Sequence, residues 1–227
     1  MPLITDLRDE SIRPRHWNDI RFEVKEEFNE QSDDFTLEKI FELDLVKHCA
    51  FIDELAHSAK KQLKIEKGLS EIKRIWEEDP AANLDISKER SKADNEEFFK
   101  VNGTENIIAL IEDHSAQLAN FKSSPYYKQF NEKIDFWENN IASITETLEL
   151  LIQVQGKWLY LESIFKGQPD LSKQLAKECA AFLKINGIFK TEMVRINKEQ
   201  NCYRALIVNV KDFLKTLIEL NRGLESI

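Results

Sequence analysis

Along one stretch of the chain, apolar residues recur in steps of three or four: Phe130, Ile134, Trp137, Ile141, Ile144, Leu148, Leu151, Val154, Trp158, Leu161 and Phe165. This spacing averages about 3.5 residues per step, the period that keeps one stripe of a helix turned toward a neighbouring helix along its whole length. At a rise of about 1.5 Å per residue such a helix is roughly 54 Å long. A globule built from 227 residues cannot surround a helix of that length on all sides. The predicted fold is therefore all-α, an elongated rod of packed long helices.

Weaker patterns fill in the rest. The first fifteen residues, with Pro2 and Pro14, read as extended, and a helix from His16 carries Trp17, Ile20, Val24 and Phe28. Residues 31–34 form a polar loop in which Asp34 is placed to cap a helix beginning at Phe35 or Thr36. Ile40, Leu43, Ile52, Leu55, Ala59, Leu69, Ile72 and Trp76 then keep helical spacing, with a break near Asp44, until Pro80 ends the run. Between residues 81 and 103 the period changes to two: Leu84 and Ile86, and later Phe99 and Val101, alternate with polar residues around a charged stretch, which predicts one small β-hairpin near residues 83–102. Thr104 reads as the N-cap of a helix using Ile107, Ile108, Leu110, Ile111 and Leu118, and Ser124-Pro125 as the start of the long striped helix. Residues 167–170, Gly-Gln-Pro-Asp, are the clearest turn. A second long helix is expected from Phe182 through Ile185, Phe189, Met193, Ile196, Tyr203, Ile207, Val210, Leu214, Leu217 and Leu224, weakened locally by Gly187. The apolar pattern continues to Ile227 without a stop signal, so the expectation is a fragment of a larger chain. Within it, residues 16–122 and 124–227 are the expected sub-bundles.

Composition supports helices and narrows function. Six glycines and five prolines, against 32% charged and 42% apolar residues, leave long stretches without breakers and enough material for a core. A net charge of −9 opposes adsorption to nucleic acid or an anionic membrane, and its charges interleave as they do on solvated helix faces. Neither partner is expected. Cys49, Cys179 and Cys202 are far apart and odd in number, which argues against a zinc knuckle or a disulfide framework and fits a reducing, intracellular compartment. No secretory leader or membrane-spanning run is visible, so the Asn102-Gly103-Thr104 sequon reads as a turn.

A phosphate-cradling loop needs its glycines followed by Lys and a hydroxyl, yet Gly156-Lys157 is followed by Trp158. His16, His48, His57 and His114 lack the i, i+4 pairing of a helical zinc site. The acidic pairs Asp33-Asp34 and Glu112-Asp113 sit in a polar loop and on a helix surface with nothing to perturb them. No catalytic residue, cofactor or metal is assigned, and this segment is expected not to be an enzyme. Trp137 and Trp158 read as helix–helix core, and Tyr160, off the stripe, as an outward contact.

Four blocks occur in order: Pro2-Leu3-Ile4-x-Asp6-Leu7-Arg8, Arg15-His16-Trp17, residues 34–43 (Asp-Phe-Thr-Leu-Glu-Lys-Ile-Phe-Glu-Leu), and residues 154–165 beginning Val154-Gln155-x-Lys157-Trp158. Together with residues 110–114 and 173–175 they resemble the linker region of dynein heavy chains over nearly the whole length, in wording closer to an axonemal than a cytoplasmic chain. The resemblance implies a helical lever that lies across the AAA+ ring modules of the same heavy chain and changes shape during the ATP cycle, driving movement along microtubules. Other dynein subunits are further implied partners, and the implied location is the cytoskeleton of the cytoplasm, in a ciliary or flagellar axoneme. Gly156 departs from the charged residue the family carries there, and after Lys177 little but the aliphatic pattern is shared. The alternative is a free-standing spectrin-like scaffold or adaptor that binds other proteins. Such a module calls for an internal repeat, and none is visible.

Overall fold

Proline at the first helical position and apolar residues one turn apart suit a short helix that packs on a core, and the chain uses this at its beginning. The computed structural model describes residues 2–92 and 94–227, without the side chains of Pro2, Pro169 and Leu171. Its described residues form helices and one two-stranded sheet, so the all-α class with a small hairpin holds. The chain divides into two compact units that interleave in sequence: unit 1 is Met1–Ser70 with Phe121–Glu132, and unit 2 is Glu71–Asn120 with Lys133–Ile227.

Unit 1 packs three short helices against residues 49–70 of a longer one. Helix α1 (Pro2–Leu7) replaces the extended start expected from sequence: Leu3 and Leu7, four residues apart, are both buried, and a leading proline forfeits only an amide that has no helical partner. Helix α2 (Pro14–Val24) begins two residues before His16, whose Nδ1 accepts the Arg13 amide at 3.0 Å. It stops at Lys25, which adopts φ 59°, rather than continuing to Phe28. That left-handed stop lets Phe28 turn back, stack on Phe35 at 5.3 Å and meet Trp17 edge-on at 6.2 Å. Thr36, not Asp34, caps α3 (Leu37–Glu42), its hydroxyl accepting the Lys39 amide. The break expected near Asp44 is present, with Asp44 itself at φ 52°. Leu3, Leu7, Ile20, Ile40, Leu43, Leu45 and Ile52 form the core, the last from the first turn of α4 (Cys49–Glu78). Further along α4, a Cβ on Gly68 would collide with the Phe121 ring, so that close approach requires glycine.

Unit 2 holds the hairpin and the long helices. After α4 a 3₁₀ turn at Pro80–Ala82 leads into β1 (Ile86–Arg90) and β2 (Glu97–Val101), antiparallel with Ile86 opposite Val101 and Lys88 opposite Phe99. Ala93 of the expected hairpin lies outside the described residues. Helix α5 (Glu105–Ser123) follows. Helix α6 (Asn131–Gly167) is the striped helix, 37 residues and about 55 Å long. It starts at Asn131 rather than Ser124-Pro125, because Tyr127–Phe130 form a 3₁₀ turn. Every stripe residue is buried except Leu161, which is half-buried.

The second long helix is not continuous. It is α8 (Ala176–Lys198), preceded by α7 (Pro169–Gln174), and it is separated from α9 (Phe213–Glu225) by a π-helical turn at Arg204–Val208 and by Asp212 at φ 63°. Buried Asn201 makes the break: its amide donates to the Trp76 carbonyl at 2.9 Å and its Oδ1 accepts the Arg204 amide at 2.9 Å, while Leu84 donates to the Gln200 carbonyl at 2.8 Å. Backbone committed to those partners cannot also continue a helix. Gly187, by contrast, lies within an unbroken α8. Among the described residues, no helix is long and apolar enough to cross a membrane.

Candidate functional site

Within unit 2, α6 carries a second line of side chains beside its apolar stripe, and these hold the hairpin. Gln155, 7% exposed, points its carboxamide at the edge of β2, where Nε2 donates to the Val101 carbonyl and Oε1 accepts the Val101 amide, both at 2.8 Å. The glutamine thus takes the place of a neighbouring strand and satisfies both polar groups of a buried backbone unit. One turn on, fully buried Trp158 meets Phe98 of β2 edge-on at 5.1 Å and Phe189 of α8 at 4.7 Å, and its indole N–H donates to Asn186 Oδ1 at 3.1 Å. Apolar bulk and the one indole donor are therefore both provided for.

The loop between the strands is held by charge. Lys166, at the end of α6, pairs with Asp94, with Glu96 Oε2 at 2.9 Å and with Glu162 Oε1 at 3.8 Å; Lys190 of α8 reaches the same Glu96 oxygen at 2.5 Å. Burial works to raise the Asp94 carboxyl, but the Lys166 ammonium, the Glu96 amide and the Ser91 hydroxyl outweigh it and hold it at about 2. Lys166 is the mirror case: burial would lower it, yet Asp94 and Glu96 raise it. Glu96 is lowered by its hydrogen bonds to Lys190 and Lys166. Elsewhere on α6, Lys157 reaches Asn221 at 2.8 Å and Glu225 at 2.5 Å on α9, Phe165 stacks on Phe182 of α8, and Trp137 packs on Tyr203. One helix thereby fixes the hairpin, α8 and α9.

The residues weighed for chemistry are scattered. His16 accepts the Arg13 amide on Nδ1, and its Nε2 lies 2.9 Å from Gln62 Oε1, a pairing that calls for the neutral Nε2–H tautomer; burial lowers its pKa accordingly. His114 is buried edge-on to Trp76 and likewise lowered by burial, His48 faces Glu23 at 3.3 Å, and His57 is exposed. Asp34 bonds with Ser32, and Asp113 accepts from Gln117. Among the described residues, no three His, Cys, Asp or Glu side chains cluster to hold a metal. Cys49, Cys179 and Cys202 are all free, and burial pushes the Cys202 thiol up to about 12. Tyr160 is 67% exposed, as its position off the stripe implies. Reading for periodicity missed Gln155, Glu162 and Lys166. Their signal was a polar file, at steps of three and four with Trp158, running beside the apolar one.

All of residues 1–227 match the family described as dynein heavy chain, N-terminal region 2. Dynein axonemal heavy chain 2 of Mus musculus is 39% identical over the full chain, its Homo sapiens counterpart 38%, and the dynein-1-beta heavy chain of the flagellar inner arm I1 complex of Chlamydomonas reinhardtii 35%. The chain covers 5% of the length of each of these relatives. With the whole sequence matched and the alignments running over the full chain, the chain belongs to the dynein heavy chain N-terminal region 2 family.

Proposed function

We propose that this segment is part of the mechanical linker of an axonemal dynein heavy chain, a lever that docks on the AAA+ ring of the same chain and changes shape as ATP turns over. The observation that carries the reading is α6: a single 37-residue helix whose stripe is buried and to which β2, α8 and α9 are separately fixed by Gln155, Trp158, Lys166 and Lys157. Close-packed interfaces do not deform continuously, so a body built this way passes on displacement instead of absorbing it. ATP hydrolysis belongs to other parts of the parent chain, and the axonemal setting follows the relatives with the highest identities above.

The test is uncoupling. In a complete motor carrying this segment, Trp158→Ala should soften the hairpin attachment, cutting the microtubule gliding velocity several-fold while ATP hydrolysis without microtubules continues. Gliding at full velocity, with softening verified by faster amide exchange in β2, would defeat the lever reading.

A further inference from the structure

Helices α5 and α6 leave an open groove of about 420 Å³ between them, along residues 104–112 and 145–152. Its floor is Ile108, Ile111, Leu148 and Ile152, and its two rims carry Glu112 and Glu149. Ile108 is 45% exposed, a large apolar side chain of that floor turned to water. Nothing in the lining is basic. Among the described residues neither rim carboxylate takes part in an ion pair, whereas Lys166, Lys157 and Arg204 are each engaged with carboxylates elsewhere in the unit. Eight residues of helix advance about 12 Å, so the groove accepts two helical turns.

We propose that this groove binds a short cationic amphipathic helix belonging to another polypeptide. Two or three aliphatic residues at i, i+3 or i+4 and i+7 fill the floor, as in other helix-in-groove recognition. Lysine or arginine on both flanks of that helix meets Glu112 and Glu149, and this charge match selects the partner where the apolar floor alone would not. An acidic helix is repelled by both rims at once. Binding here is independent of whether the segment works as a lever, because it uses no residue of the hairpin clamp.

The probe is a labelled synthetic peptide of about 14 residues, leucines at helical spacing with lysines on both flanks, alongside glutamate-flanked and glutamine-flanked versions. Fluorescence anisotropy with the 227-residue chain should show the lysine peptide binding at least about tenfold tighter than either control, with the advantage fading between about 50 and about 500 mM salt. Ile108→Ser, at a half-exposed position that does not threaten folding, should abolish most of the binding. Glu112→Lys combined with Glu149→Lys, both exposed, should transfer the preference to the glutamate peptide. Equal binding of all three peptides, or no binding by any of them, overturns the proposal. So does a concentration-dependent dimer in sedimentation that Ile108→Ser dissolves, since the groove would then be closed by a second copy of this chain.

Discussion

Units 1 and 2 bury their apolar residues by different routes. In unit 1, α1, α2 and α3 are six, eleven and six residues long, too short to hold as isolated helices, and their aliphatic side chains converge with Ile52 of the longer α4 on one small core. Its geometry is set at the joints, where Lys25 and Asp44 adopt left-handed conformations and Phe28 stacks on Phe35. Unit 2 hangs its core on helices of 37 and 23 residues and meets it with aromatic rings, Phe98, Trp158 and Phe189. A long uniform stripe tolerates slippage, because one aliphatic layer resembles the next. Polar partners with fixed addresses remove that freedom: Gln155 finds Val101, 54 residues away, and Asn201 finds Trp76, 125 residues away. The difference teaches that length gives a helix its core, while buried polar contacts give it its register.

The contrast can be broken experimentally, beginning where the effect is largest. Trp158→Ala should cost about 3–5 kcal/mol, measured by denaturant unfolding, because it opens a cavity between the Phe98 and Phe189 rings and orphans Asn186. Ile20→Ala, the matching truncation at a fully buried site of unit 1, should cost about 2–4 kcal/mol, nearer the low end because short helices can collapse toward the space. Gln155→Leu keeps the bulk but leaves the Val101 amide and carbonyl unpaired. It should cost about 1–3 kcal/mol and speed hydrogen exchange at Val101, a signature that an unchanged exchange rate would refute.

Lys166→Met sharpens the electrostatic side. Asp94 and Glu96 are partly exposed while Glu162 is buried, so the loss falls between that of a surface pair and that of a buried one, about 1–2 kcal/mol at neutral pH. Asp94 is held at about 2 against its ordinary 3.8, so its contribution is complete above about pH 4 and is lost as pH falls through about 2. The difference between Lys166→Met and the parent chain should therefore shrink over that window, and a constant difference would assign the role of Lys166 to packing alone. The smallest effect is expected at Lys73→Ala, which removes an exposed 3.8 Å pair with Glu77 and should change stability by less than about 0.5 kcal/mol.

Much of this was open to reading in the residues. The stripe from Phe130 to Phe165 predicted one long buried face, the change of period around residues 84–101 predicted the hairpin, and the four ordered blocks were enough to place the family. Other features left too weak a trace. Leu3 and Leu7 make a single turn, which cannot display a period, so α1 read as extended. The start of α6 was displaced because a 3₁₀ turn shares the three-residue spacing of an α-helix up to Phe130. The break between α8 and α9 was hidden because apolar residues continue at helical spacing straight across it.

Local alternation of apolar and polar side chains acts within a few residues, and so the sequence by itself determined the helical class, the buried face of α6, the place of the hairpin and the outward position of Tyr160. Where α8 stops, which edge of β2 meets Gln155 and how Lys166 gathers Asp94, Glu96 and Glu162 were decided only by the tertiary structure. These depend on buried polar groups finding partners tens of residues away, and the cost of leaving such a group unpaired applies only once the surrounding chain has excluded water.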